Sequence, residues 1–279
     1  MLDRSRRLTR LQRERFGREG YLVIRRLLPP ELVDACLRPA VWRAMVLAGP
    51  TALERREQSR GAERSVAARA FTQRVNLWRL DAAVRDLVLS RRLGSVAAQL
   101  LAVPRVRLYH DQALVKEPGG GPTPWHQDQV YWPLDSAGAL TIWIALVPVR
   151  AEMGPLRFAR GSHILGDQGG GRISEESEQR IGRLVEESAL PITGPRSLAP
   201  GDATVHASWT LHRAEANHSN GPREAFTVIY FADGARVTAP TPAQRADLEA
   251  FLPGLEPGDL ADGELTPLVP GPLSDLPAR

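Results

Sequence analysis

The stretch WHQDQVYW, residues 125–132, sets a histidine and an aspartate two positions apart among tryptophan, tyrosine and valine. Along an extended strand, residues i and i+2 project to one face, roughly 6–7 Å apart. His126 and Asp128 can therefore aim at a common ion while Gln127 points away. A lone H-x-D also arises by chance, and its bland reading is a strand whose polar groups are satisfied by neighbours. A third ligand from a different strand would complete a set of two histidines and one carboxylate, which leaves coordination positions open.

The segment GDATVHASWTLHRAEANHSNGPR, residues 201–223, supplies three candidates: His206, His212 and His218. An oxygenase of this kind must also hold the far carboxylate of a keto-acid co-substrate, for which a bidentate arginine is the natural clamp. Arg223 lies 11 residues after His212, room for a turn at 217–222 and a return into the next strand. His206 lacks an arginine at that distance and reads as a buried, hydrogen-bonded core group. His218 reads as an exposed loop residue.

The whole chain reads as an ordinary globular protein. Its 279 residues are enough to bury a full core, and 43% hydrophobic with 24% charged residues is ordinary globular composition. The longest apolar run, ALTIWIALVPV at 139–149, is too short to span a membrane, so no membrane association is expected. No apolar leader stands at the N-terminus, and the single cysteine, Cys36, cannot close an internal disulfide. Both features point to a cytoplasmic setting. Of the 36 basic residues 35 are arginine, and nine of those fall within residues 1–26. Interleaved with Glu14 and Glu19, they read as the solvated face of a helix rather than a nucleic-acid arm. A small-molecule substrate is expected, with no nucleic-acid partner, in a monomer or homodimer.

Helical patterns come first and strands afterwards. Leu8, Leu11 and Phe16 space a short helix that Gly20 ends; YLVIRRLL then reads as a strand, and Pro29-Pro30 opens a helix through Cys36. The highly charged segment 52–68 reads as a mobile loop. Asp81 is placed to cap a helix carrying Val84, Leu87 and Val88, and another helix covers Leu93 to Leu101. After Pro104, residues 105–116, 139–149, 156–160, 203–208 and 225–232 form short β-branched or aromatic runs punctuated by Gly and Pro. This order predicts an α+β chain with a mainly β core, an antiparallel sandwich or barrel. The expected organisation is one domain over 1–279, with a helical part at 1–103 and a core at 104–235. An insertion at 164–195 interrupts the core, and its acid-rich helical stretch 175–187 is expected to close over substrate as a lid. A Pro-rich acidic tail, 236–279, is expected to wrap the surface or stay loose.

Five pieces of the chain carry a resemblance: FGREGYLVIRRLLPPELV, QALVKEPGGGPTPWHQDQVYW, TIWIALVPVRAEMGPLRFARGSH, the PGD at 200–202, and LHRAEANHSNGPR. In this order, over roughly residues 8–234, the chain resembles the phytanoyl-CoA dioxygenase-like family of Fe(II)- and 2-oxoglutarate-dependent oxygenases. The resemblance implies a double-stranded β-helix, a cupin-like jelly roll of two sheets, with the N-terminal helices packed outside. It implies His126, Asp128 and His212 as the catalytic iron ligands and Arg223 as the 2-oxoglutarate clamp. Trp143, Gln112 and Thr141 are expected to touch that co-substrate. The small hydroxyl residue often found two positions after the distal histidine is here Ala214. The implied reaction consumes O2 and 2-oxoglutarate, releases succinate and CO2, and oxidises an unactivated C–H bond of a small organic molecule. Hydroxylation during natural-product tailoring is the default, with radical cyclisation or epimerisation as outcomes of the same chemistry. Because Asp128 keeps the carboxylate, halogenation is not expected.

His110, Tyr131, Trp132 and Trp209 are candidate substrate-contacting residues, each with an equally good reading as barrel packing. Two other classes stay open. A cupin-like metal-dependent dioxygenase or isomerase without a keto acid would leave Arg223 without a task. A non-catalytic binding protein with a basic arm would leave the three metal-ligand candidates without one.

Overall fold

Capping residues place the first helices. The computed structural model describes residues 2–50, 70–136, 138–169 and 171–271; the segment 52–68, read as a mobile loop, lies outside them. Thr9 closes a capping box with Gln12 at the start of α1 (Arg10–Glu19), and Gly20 ends the helix. The chain passes directly into β1 (Tyr21–Ile24), shorter than YLVIRRLL because Arg26 turns with φ at +50°. Pro30 begins α2 (Pro30–Leu32), which continues through one π turn (Val33–Leu37) into α3 (Arg38–Ala48). Pro39 has no backbone N–H to donate, which accounts for the widened turn before it. The helical segment therefore runs well beyond Cys36.

A short strand, β2 (Thr72–Val75), precedes α4 (Ala82–Val88) and α5 (Arg91–Leu101). Asp81 caps α4 by accepting from the Ala83 and Val84 N–H groups, and Ser90 caps α5. From there the chain is mostly strand: β3 (Val106–Lys116), β4 (Thr123–His126), β5 (Ala139–Ala145) and β6 (Leu156–Ala159). After α6 (Glu175–Glu187) come β7 (Ile192–Thr193), β8 (Ala203–Ala207), β9 (His212–Ala214) and β10 (Arg223–Ala232). A last helix, α7 (Arg245–Phe251), and β11 (Leu268–Val269) complete the described chain.

Two antiparallel sheets result. The larger runs β1-β8-β5-β10-β3, with β2 and β11 sharing the outer edge of β3; the smaller runs β4-β9-β6-β7. From β3 to β6, and again from β8 to β10, successive strands alternate between the sheets, which is the winding of a jelly roll. Alternation then sorts the larger sheet's side chains. Leu140, Ile142, Ile144, Val205, Phe226 and Val228 join the core under the helices, whereas Trp143, Ala145 and Ala225 pack with Phe158 and Ala214 of the smaller sheet. Thr141, Thr204, His206 and Thr227 share the parity of this second, inward set.

The lid expectation is corrected. Ile181 and Val185 of α6 pack with Trp125 and Leu211, and the Trp125 N–H donates to Glu178 Oε2 at 2.6 Å. Trp125 and His126 point to opposite faces of β4, so α6 buttresses the outside of the smaller sheet instead of covering its mouth. Of the two readings of the tail, wrapping the surface or staying loose, the described part is packed on the barrel. Phe251 and Leu252 are buried, and Phe251 stacks on His110 with ring centroids 4.2 Å apart. An apolar side of α7 in an otherwise acidic segment is what docks it.

The PGD turn locks helices to barrel. Asp202 accepts from the Arg26 and Ala199 N–H groups and pairs with Arg25 at 2.7 Å. Gly201, at φ +81°, brings its backbone so close that an added Cβ would lie 2.2 Å from the Leu28 carbonyl oxygen. Gly201→Ala should therefore destabilise the protein by roughly 1–3 kcal/mol, through strain and displaced backbone. Urea unfolding of the two proteins measures it; an unchanged midpoint would reject this account of the turn.

Candidate metal centre

His126 on β4 and His212 on β9 are register partners in the smaller sheet, with ring centroids 4.0 Å apart. β4 ends at His126, and Gln127 stays extended (φ −121°, ψ 134°) before a 3-10 turn begins at Asp128. Alternation thus survives past the strand. Asp128 returns to the face of His126, while Gln127 points away and donates to the Gly166 and Trp209 carbonyls at 2.8 Å each. Asp128 therefore sits at a strand-to-turn junction, where the sequence pattern implied a continuous strand.

Hydrogen bonds fix the tautomers. His126 Nδ1 lies 2.8 Å from the Pro124 carbonyl oxygen, and His212 Nδ1 lies 3.0 Å from that of Thr210. A carbonyl only accepts, so each ring carries its proton on Nδ1 and turns a bare Nε2 inward. Those two nitrogens lie 3.7 and 3.6 Å from Asp128 Oδ1. Three lone-pair-bearing atoms thus converge with no proton among them. Alone they repel; a divalent cation turns the same arrangement into attraction. Ligand atoms of His126, Asp128 and His212 all lie within 4.8 Å of one another, and two imidazoles with one carboxylate are a donor set that suits iron(II).

Burial keeps the imidazoles neutral. It lowers the pKa of His126, and that of His212 further, where His126 and His206 add to the effect. On Asp128 burial acts in the opposite sense, but the hydrogen bond that His206 donates favours the ionised form, and the carboxyl is held below the usual range. His206 itself is 1% exposed, and its Nε2 lies 3.0 Å from Asp128 Oδ2. The hydrogen-bonded core group expected at this position thus has the candidate metal carboxylate as its partner. Thr141, expected at the co-substrate, donates from Oγ1 to the same Oδ2 at 2.7 Å.

Between the sheets, Arg223 at the start of β10 is 1% exposed. Its Nη1 donates to the Gly154 carbonyl, its Nε is unpartnered, and no carboxylate pairs with it among the described residues. Gly154 holds φ at +67°, and an added Cβ would lie 2.1 Å from the Glu215 carbonyl oxygen, so only glycine presents that carbonyl there. The guanidinium lies 5.6 Å from the Trp143 ring. Trp143 Nε1 and Thr204 Oγ1, on register partners of β5 and β8, are also buried without a hydrogen-bond partner. Thr227 of β10 is opposite Trp143 on one side and Gln112 on the other. The Gln112 side chain accepts from Gln73.

Lys116, the register partner of Arg223, adds a second buried cation. The carbonyls of Gly121 (2.6 Å) and Glu215 (3.0 Å) hold its Nζ, and burial followed by the nearby Arg223 lowers its pKa to about 7. An unpaired buried guanidinium is costly, and the remedy is an anion. Thr204 and Lys116 are features that sequence reasoning missed; the parity of Thr204 with His206 was the available signal.

The candidate substrate residues divide. Trp132 and Trp209 line a cavity of about 420 Å³, together with Gln129, Leu134 and residues 241–244. The Tyr131 hydroxyl accepts from the Ile173 N–H at 2.8 Å and so ties down the insertion. His110 is packed beneath α7, where burial lowers its pKa to about 4.

Comparison with known proteins places the chain in a family. A curated relative from Stutzerimonas stutzeri, a probable alpha-ketoglutarate-dependent hypophosphite dioxygenase, is 31% identical over 162 residues, which is 55% of this chain and 54% of the relative. The chain thus spans about half the length of the curated relative it matches. Among solved structures, the non-heme alpha-ketoglutarate-dependent carbocyclase SnoK from nogalamycin biosynthesis is 28% identical, with a TM-score of 0.73 over 94% of this chain and 96% of SnoK. The epimerase SnoN, in complex with Fe3+, alpha-ketoglutarate and nogalamycin RO, is 26% identical, with a TM-score of 0.71 over 92% of this chain and 97% of SnoN. Residues 16–225 match the phytanoyl-CoA dioxygenase (PhyH) family, so this chain belongs to that family of iron- and 2-oxoglutarate-dependent oxygenases.

Proposed function

We propose that this protein is an Fe(II)- and 2-oxoglutarate-dependent oxygenase. Its reaction oxidises an unactivated C–H bond of a small organic molecule in natural-product tailoring and releases succinate and CO2. The observation that carries the reading is the convergence of three lone pairs from His126, Asp128 and His212, in a fold that also buries a guanidinium, Arg223, which no carboxylate pairs among the described residues. In this reading His126 Nε2, His212 Nε2 and Asp128 Oδ1 hold the iron. Arg223 takes the far carboxylate of 2-oxoglutarate, with Trp143 Nε1 and Thr204 Oγ1 as further donors. Bound iron supplies dioxygen activation, driven by oxidative decarboxylation of the keto acid.

The chain's own residues bind, orient and exclude water. Phe158 is fully buried, with its ring centroid 5.5 Å from His206 and 6.2 Å from His212, so it seals one side of the ligand cluster. Trp132 and Trp209 give the cavity they line with residues 241–244 an aromatic wall. A cavity of about 420 Å³ so lined suits a compact organic substrate, neither a hydrated oxyanion nor a coenzyme A thioester. The likeness to SnoK and SnoN, which belong to nogalamycin biosynthesis, supports a natural product over a primary metabolite. No helix among the described residues is long and apolar enough to cross a membrane, and we place the enzyme in the cytoplasm as a monomer or homodimer.

Two measurements test the reading. Anaerobic Fe(II) with 2-oxoglutarate should give the weak visible charge-transfer band of the chelate. Asp128→Ala should abolish it, and Arg223→Ala should weaken 2-oxoglutarate binding at least tenfold; full-strength bands in both variants would reject the assignment. Metal binding should also stabilise the fold, because it relieves the repulsion among the ligands. At about 100 times Kd, Fe(II) should contribute roughly 2.7 kcal/mol, seen as a rise in the thermal midpoint that His212→Ala removes. A midpoint indifferent to Fe(II) in the parent protein would sink the metal site itself.

A further inference from the structure

The candidate metal carboxylate is held by more than its own backbone. Thr141 on β5 and His206 on β8 are cross-strand register partners on the inward face of the larger sheet. Both side chains end on one atom, Asp128 Oδ2, at 2.7 Å from Thr141 Oγ1 and 3.0 Å from His206 Nε2. The other oxygen, Oδ1, faces the Nε2 atoms of His126 and His212.

Proton positions separate His206 from its two histidine neighbours. An ionised carboxylate only accepts, so the His206 proton sits on Nε2 and points at Asp128. Its Nδ1 is buried without a partner, and no backbone carbonyl draws the proton to that side. His126 and His212 have the reverse arrangement, with Nδ1 donating to a carbonyl and Nε2 bare. Three imidazoles therefore surround one carboxylate, with ring centroids only 4.0 Å (His126 to His212) and 4.3 Å (His206 to His212) apart, yet just two of them offer a lone pair to a cation.

We propose that His206 and Thr141 are positioning residues that saturate Asp128 Oδ2, so that Asp128 meets the metal through Oδ1 alone. A carboxylate free to rotate can chelate through both oxygens and take a second coordination position. Two donors on Oδ2 hold that oxygen back on the larger sheet, which keeps open the positions that co-substrate and oxygen require. The imidazole is a donor here and not a fourth ligand. The inference rests on His126, Asp128 and His212 being the metal ligands, and goes beyond it in assigning work to two residues that do not touch the ion.

The test uses the full-length protein stripped of metal and titrated anaerobically with Co(II) alone, whose visible spectrum reports both affinity and coordination. Asp128→Ala is the control for the ligand reading: if it binds Co(II) as tightly as the parent, the metal site is wrong and the proposal falls with it. Given a normal control, His206→Ala and Thr141→Val should each weaken Co(II) binding about 10- to 100-fold and change the visible band shape. His206→Gln and Thr141→Ser, which retain a donor at comparable reach, should return to within about threefold of the parent protein, a rescue expected of charge-assisted hydrogen bonds. Loss of binding in His206→Gln equal to that in His206→Ala would mean that the imidazole itself is a ligand, overturning the proposal. Parent-like affinity and spectrum in Thr141→Val would overturn it too. That nearly isosteric pair, Thr141→Val and Thr141→Ser, decides the matter if His206→Ala fails to fold.

Discussion

Two backbone carbonyls decide what this site can do. Pro124 and Thr210 each stand two residues before a histidine, and each accepts the Nδ1 proton of that ring. With the protons drawn away, the Nε2 atoms of His126 and His212 have only lone pairs to show each other and Asp128. The arrangement is unfavourable by itself, so the rest of the fold must impose it. Register pairing of β4 with β9 does so, by placing the two histidines opposite one another before any ion arrives.

The larger sheet separates stability from chemistry by parity. On its helix side, Leu140, Ile142, Ile144, Val205 and Phe226 bury apolar surface against α3, α4 and α5. On its inner side the same strands carry Thr141, Trp143, Thr204 and His206, and three of these leave a buried polar atom unpaired. Each unpaired atom costs about 1–3 kcal/mol, a cost that the apolar face offsets. Arg223 shows the logic most plainly, because its neighbour Lys116 is satisfied by carbonyls while Arg223 keeps its Nε without a partner among the described residues. A chain selected for stability alone would have paired that guanidinium with a carboxylate.

How much of this was legible in the sequence depended on the range of the interaction. Period-two alternation placed His126 and Asp128 on one face, and it held even though Asp128 lies just beyond the strand, because Gln127 stays extended. Asp81 and Gly20 marked helix ends through local capping chemistry. The 11-residue spacing from His212 to Arg223 allowed for a turn, and Asn217 builds it by bonding the Lys116 and Gly221 carbonyls. What was not legible depends on packing between distant segments. Nothing in the acid-rich α6 says that it will dock behind Trp125, since its apolar side of Ile181 and Val185 fits a lid as well as a buttress. Thr141 and His206 gain their shared target only from the pairing of β5 with β8.

The division between shared and private parts of the chain follows from where each wall of the cavity comes from. The family match ends at residue 225, after the last histidine ligand candidate and Arg223. The cavity lined by Trp132 and Trp209 is bounded on one side by residues 241–244, and Phe251 of α7 stacks on His110; both segments lie beyond that limit. On another side the cavity meets Asp167 and Gly169 of the insertion, whose Ile173 N–H donates to the Tyr131 hydroxyl. His126, His212 and Arg223 lie on strands held in register by their neighbours. Residues 241–244 lie in a connecting segment outside both sheets, the kind of element that tolerates exchange. In the proposed reading, different outcomes at carbon would then follow from how such connecting segments hold a substrate against a centre that the strands fix.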